Sequence, residues 1–313
     1  MLRLILNRLL WSIPLLLVAS ALTFVLLSLT SGNPAQAILG PLASAAQVQA
    51  MTKQLGFDQP VWVQYWHWLD GALHGNLGVS LQDGETVTSL LGQRLPVSLA
   101  LIGGATLLAS AGGVLLGVAA AVRGGRSGRV LEGAALLGLV IPDFLLGLVL
   151  IEVFAVAVRL FPASGWVAFS ASPGDWAKSL VLPVTALGVG VMAIIAVQTR
   201  DAMREALRNP FIRVLEANGI SRRSVLYKHA LRSAAIPVIT VIGIIVTALL
   251  GGSVLIEAVS SLPGLGSILQ LATGQHDIPV VQGVVVYFTL IVVAVNLVVD
   301  IGYGLLNPRV RVR

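Results

Sequence analysis

Apolar residues along this 313-residue chain come in long runs, not at the spacing of a half-buried soluble helix or strand. A helix that crosses about 30 Å of hydrocarbon needs about 20 largely apolar residues. Six runs qualify, at about 9–30, 96–122, 131–158, 179–198, 236–258 and 280–306. Each is expected to be a transmembrane helix, because a helix satisfies all its backbone polar groups within itself. The predicted fold is therefore an all-α polytopic membrane protein with six spans. Arg3 and Arg8 precede the first run, and Ala35-Gln36-Ala37 resembles a signal cleavage site. The apolar core of that run nevertheless exceeds the ~7–15 residues of a cleaved signal, which favours a retained span.

The one long polar interruption, 199–235, carries Arg200, Arg204, Arg208, Arg213, Arg222, Arg223, Lys228 and Arg232 against Asp201, Glu205 and Glu216. Two helical stretches are expected here, flanking an Ala217-Asn218-Gly219 break. Phe211, Ile212, Val214 and Leu215 are set among the charges. That is the pattern of a short docking helix, placed around 211–225, that meets a soluble partner. A polybasic segment on anionic lipid would read similarly, at about 1 kcal/mol per charge.

Charge then sets orientation. Six spans put both termini on one side. The N-terminus, the 123–130 connection, the 199–235 segment and the C-terminus together hold 16 of the 20 Lys and Arg. The positive-inside rule places that side, and both termini, in the cytoplasm. The other side keeps Lys53, Arg94, Arg159 and Lys178. There the 32–95 region is the longest piece, with helices expected at about 45–55 and 61–73. Trp62, Tyr65, Trp66 and Trp68 cluster in the second of these. They suit either a membrane interface or contact with substrate or a docking protein.

Composition narrows the chemistry. A mean hydropathy of +0.91 with 11% charged residues is that of an integral membrane protein, so the pI near 10.3 reflects inside-positive loops and not nucleic acid. Cysteine is absent and the four histidines are scattered, so no metal or cofactor site is expected. No Gly precedes Lys53, Lys178 or Lys228, so no phosphate-binding P-loop exists and any ATP hydrolysis must come from a partner. Ionisable residues in or near the spans are few: Glu132, Asp143, Glu152, Glu257 and Asp300. Such groups are expensive in lipid, and Asp143, Glu152 and Glu257 are candidates for a transport path or gate; a structural role is the alternative. Their sparseness argues against a stand-alone ion-coupled carrier, which needs a relay. A membrane enzyme has no catalytic constellation to support it. Gly113 with Gly117, and Gly243, Thr247 and Gly251, have the spacing of close helix packing. Pro142, Pro183 and Pro237 are expected to bend helices or mark starts, the last two near span starts.

Taken in order, these segments resemble the inner-membrane permease subunits of ABC importers, in the dipeptide, oligopeptide and nickel branch. Gly32-Asn33-Pro34-Ala35, 55–60 (LGFDQP) and 75–80 (GNLGVS) look like branch motifs that follow the first span. So do Glu216-Ala217-Asn218-Gly219 with Ile220-Ser221, Leu262-Pro263-Gly264-Leu265-Gly266, 277–283 (DIPVVQG) and Asn307-Pro308-Arg309. The branch commonly has Arg and Lys where Glu216 and Asn218 stand, and Tyr where Ile278 stands. The resemblance implies a type I importer permease fold. It divides the chain into a stub and first span at 1–31, an extracytoplasmic segment at 32–95, a core permease domain at 96–306 and a tail at 307–313. It implies coupling to an ATPase through Phe211, Glu216, Ala217, Gly219 and Ser221. The expected partners are a second homologous permease, two ATPase subunits, an extracytoplasmic binding protein and membrane lipid. Peptide is the favoured cargo, nickel or another small solute the alternative.

Overall fold

The computed structural model describes residues 2–29, 34–40, 42–123, 133 and 141–306. The first half of the third run, the 124–132 connection with Glu132, and the Gly32-Asn33 and Asn307-Pro308-Arg309 motifs lie outside the described residues.

Twelve α-helices are used below. The first four are α1 (Leu2–Leu29), α2 (Pro34–Leu39), α3 (Ala45–Gln54) and α4 (Val61–Leu73). Next come α5 (Val87–Arg123) and α6 (Asp143–Leu150), which runs on as a π-helical turn at Ile151–Ala157. Then follow α7 (Pro173–Arg208), α8 (Pro210–Ala217) and α9 (Arg222–Ser224), joined by a second π segment (Val225–Ala230) to α10 (Leu231–Val259). Last are α11 (Leu265–Gly274) and α12 (Ile278–Leu306). Among the described residues the sole strand-like pairing is one isolated bridge, Val79 with Thr86.

Among the described residues five helical stretches are long and apolar enough to cross a membrane: Arg8–Leu29, Val87–Arg123, Pro173–Arg208, Arg222–Val259 and Ile278–Tyr303. They match five of the six expected spans, and α6 with its π turn carries the described part of the sixth. Three of them are longer than the apolar run alone. Helix α7 continues ten residues past Gln198, because Ala202, Met203 and Ala206 keep an apolar stripe buried between the charges. Pro183 and Pro237 consequently sit inside α7 and α10, not near their starts. Pro142, by contrast, does mark a start, as the residue before α6.

The chain forms two compact units, Leu99–Leu262 with Ala294–Arg313, and Leu2–Ser98 with Pro263–Val293; α5 and α12 each run from one into the other. The second unit is built round Leu77, Val87 and Leu91 with Leu265, Ile268, Val280 and Val284. In the first, α5 lies against α7 through glycines. A Cβ on Gly113 would come within 2.7 Å of Ile195 Cβ, and one on Gly117 within 2.5 Å of Thr199 Cβ. This is the close backbone approach that small residues permit between membrane helices. Gly243 likewise admits Val299 of α12, but Gly251 has nothing within 4 Å and Thr247 is exposed, so that row packs at one end only.

Candidate functional site

The polar 199–235 stretch folds as the end of α7, then two short helices. Asn209 Oδ1 accepts from the Phe211 N–H at 3.3 Å and Pro210 occupies the first turn, which together start α8. The helix stops at a Schellman turn. Gly219 sits at φ +74°, its N–H donates to Glu216 O at 3.0 Å, and the Ile220 N–H donates to Leu215 O at 3.1 Å. Ser221 then caps α9, its Oγ accepting from the Ser224 N–H at 3.4 Å. The break expected at Ala217-Asn218-Gly219 is therefore a tight corner, and the docking helix placed around 211–225 ends there, with α9 following it. Gly219 has open space around its Cα, so the requirement for glycine is one of backbone conformation.

Ile212, 2% exposed, anchors α8. It packs with Val118 of α5, Ala202, Met203 and Ala206 of α7, and Val225, Ala230 and Ala234. Outward from this anchor point Phe211 (39% exposed), Val214 (59%) and Tyr227 (57%). Glu216, Ala217, Gly219 and Ser221 are exposed as well, and so are Arg208, Arg213, Arg222, Arg223, Lys228 and Arg232. Arg200 differs: it is buried, and its Nε and Nη2 each lie 2.9 Å from Asp201 Oδ1. The result is an apolar ridge framed by cations, held rigidly on the ends of two long helices.

The three candidate carboxylates have different surroundings. Asp143 opens α6 after Pro142, with its Oδ1 accepting from the Phe144 N–H at 2.9 Å. Its Oδ2 lies against Gly252 of α10, where a Cβ would come within 2.7 Å. One turn on, Gly147 packs on Ile256 and Ala186. Glu257, also on α10, is fully buried, and its backbone carbonyl accepts from the Leu262 N–H at 2.8 Å in the turn that ends the helix. Glu152 is exposed, on the π turn. Asp143 and Glu257 thus belong to helices that pack on each other, whereas Glu152 faces away from the chain's own core.

In the other unit a buried carboxylate organises the ends of several elements. Asp277, 2% exposed, accepts from Ser80 Oγ at 2.6 Å and the Leu81 N–H at 3.0 Å through Oδ2, and from the Val280 N–H at 3.4 Å through Oδ1. Gln282, fully buried, donates to Ser20 O of α1 at 3.0 Å. A Cβ on Gly283 would fall 2.5 Å from Val87 Cγ1 and 2.9 Å from Leu91 Cδ1. Ser98 Oγ accepts from the Leu265 N–H at 2.8 Å. The 75–80 and 277–283 motifs are therefore two halves of one contact. Their residue types alone, an Asp before an Ile-Pro helix start and a Ser in a Gly-rich turn, do not reveal that they meet across about 200 residues of sequence.

Fold and surface together define a multi-pass membrane protein that carries a short, partly apolar helix on a polar segment between its spans. The family model for binding-protein-dependent transport system inner membrane components matches residues 113–312, and the model for the N-terminal part of the same components matches 1–102. By name, one relative is a peptide transport system permease protein of Brucella abortus, 39% identical over 98% of both chains. Another is a peptide ABC transporter permease of Sinorhizobium fredii, 37% identical over 98% of both. A third is the glutathione transport system permease of Escherichia coli, 36% identical over 99% of both. The chain belongs to the inner-membrane permease components of binding-protein-dependent ABC importers.

Proposed function

We propose that this permease carries peptides across the inner membrane and is driven by ATP hydrolysed on partner subunits. The observation that carries the coupling is α8: Ile212 fixes it to α5 and α7 while Phe211 and Val214 face outward. An ATPase that moved this helix would move two membrane-crossing helices with it. Glu216 is placed to meet a basic residue of the ATPase, and Gly219 and Ser221 keep the corner sharp. The relatives named for peptide and glutathione transport favour peptide cargo over nickel. The excess of Lys and Arg in 199–235 and at both ends supports a cytoplasmic position for α8 and both termini.

On this reading 96–306 is the core permease domain, between a first span and stub at 1–31 and a tail at 307–313. The 32–95 segment faces outward to receive a binding protein, and a second homologous permease completes the path. Asp143 and Glu257 are its candidate gate residues and Glu152 a candidate contact of the path. The test is purification from native membranes with and without Phe211→Asp and Val214→Asp. Retained permease with lost ATPase subunits supports the reading. ATPase subunits that remain in full with the double variant refute docking through α8.

A further inference from the structure

Helix α4 carries an aromatic cluster that the coupling scheme does not use. Its Tyr65 hydroxyl lies 3.0 Å from Ser20 Oγ and donates to Leu17 O at 3.3 Å, both on α1, and its ring meets Phe24 edge-on at 5.8 Å. Ser20 is in turn joined to α12 by Gln282, about one turn (~6 Å) inside the start of that helix. The start itself, at Ile278 after the polar Gln275-His276-Asp277, borders the same cavity of about 300 Å³ as Leu27, Ser28, Val61 and Gln64. So α4 lies along α1 between Leu17 and Ser28, beside the first turns of α12. An apolar crossing helix that starts just after a polar triplet marks a headgroup boundary near that start.

On the flank of α4 beside Tyr65, Trp62 and Trp66, one turn apart, are 68% and 64% exposed, and the Trp66 ring lies 6.1 Å from that of Tyr65. The helix beneath them presents Leu22, Val25, Leu26 and Leu29 on the rest of its circumference, all exposed and all in a membrane-crossing stretch. Two indoles at the headgroup boundary, continuous with a lipid-facing helix, match the amphipathic environment that Trp prefers. The exposed Asp70 and His74 follow at the far end of α4, where the chain returns to polar surroundings.

We propose that α4 is an interfacial helix whose Trp62–Trp66 face is embedded in the lipid headgroup boundary, which leaves the rest of 32–95 to receive a binding protein. Tyr65 pins it to α1, and the two indoles hold the extracytoplasmic segment flat on the bilayer. Burial of such a face to ~5–10 Å is usual for interfacial helices.

This chain has no cysteine, so each introduced thiol is its single labelling site, and the unsubstituted assembly labelled in the same way gives the partners' background. Trp62→Cys and Trp66→Cys are nitroxide-labelled in the full chain, with its co-purified partners, in phosphatidylcholine vesicles. Asp83→Cys on the exposed 81–86 turn serves as the water-side reference. Collisions with oxygen should exceed those with a water-soluble nickel chelate at 62 and 66, and the reverse should hold at 83. Labels at 62 and 66 that behave like 83, or that are shielded from both reagents by protein, overturn the proposal. A second readout leaves both sites filled by aromatic rings. The fluorescence removed by Trp62→Phe with Trp66→Phe should be the part that brominated lipid quenches and iodide does not. Quenching by iodide alone would contradict it.

Discussion

Single residues here answer to backbone geometry and to contact distances that can be read one by one. Gly219 has room for a side chain but not the conformation, so Gly219→Ala should cost about 1 kcal/mol through its left-handed φ and loosen the α8–α9 corner. Gly283 presents the opposite case. Gly283→Ala drives a methyl into buried Val87 and Leu91 and should destabilise by ~1–3 kcal/mol. Gly103, in helix α5 with nothing within 4 Å, is the control, where alanine should be neutral or stabilising by up to ~1 kcal/mol. Thermal unfolding of the three variants in one detergent separates these outcomes. Asp277→Ala strands the Ser80 hydroxyl and the Leu81 N–H in a buried site. At ~1.5–3 kcal/mol per hydrogen bond to a charged group, it should lower stability more than Gly283→Ala does.

At the scale of elements, α8 divides its work between two adjacent residues. Ile212→Ala removes a buried anchor and should cost ~2–5 kcal/mol, whereas Phe211→Ala should leave the melting temperature nearly unchanged and weaken ATPase binding. The same pair shows what the sequence could reveal. Apolar residues among charges at 211–215 announced a short helix, and the Asn-Gly break announced its end. Which of Phe211 and Ile212 faces inward depends on Val118 and Met203, far along the chain, and no local pattern carries that. Likewise Ser44 and Gln47 form a capping box whose spacing is visible in the sequence, and α3 begins there as expected. The extension of α7 to Arg208 was hidden, because its polar residues outweigh the buried stripe of Ala202, Met203 and Ala206 in any average of hydropathy.

For the molecule as a whole, the solvent explains the exposure. Within the apolar windows of α1 and α12 only 11% and 6% of residues are buried by the chain itself. In water that much apolar surface would not stay monomeric; in a bilayer it is ordinary, and parts of it remain for other subunits. Six long runs made the membrane fold legible from sequence, while the contact of the 75–80 and 277–283 motifs needed three dimensions. The central claim is that ATP-driven movement enters through α8, and it is tested most directly by peptide uptake into vesicles. The vesicles would hold the permease with its co-purified partners, with and without Phe211→Asp and Val214→Asp. Uptake should require ATP and should be lost in the double variant while the permease stays folded in the membrane. Uptake by the chain alone under an ion gradient, indifferent to the two substitutions, would contradict it.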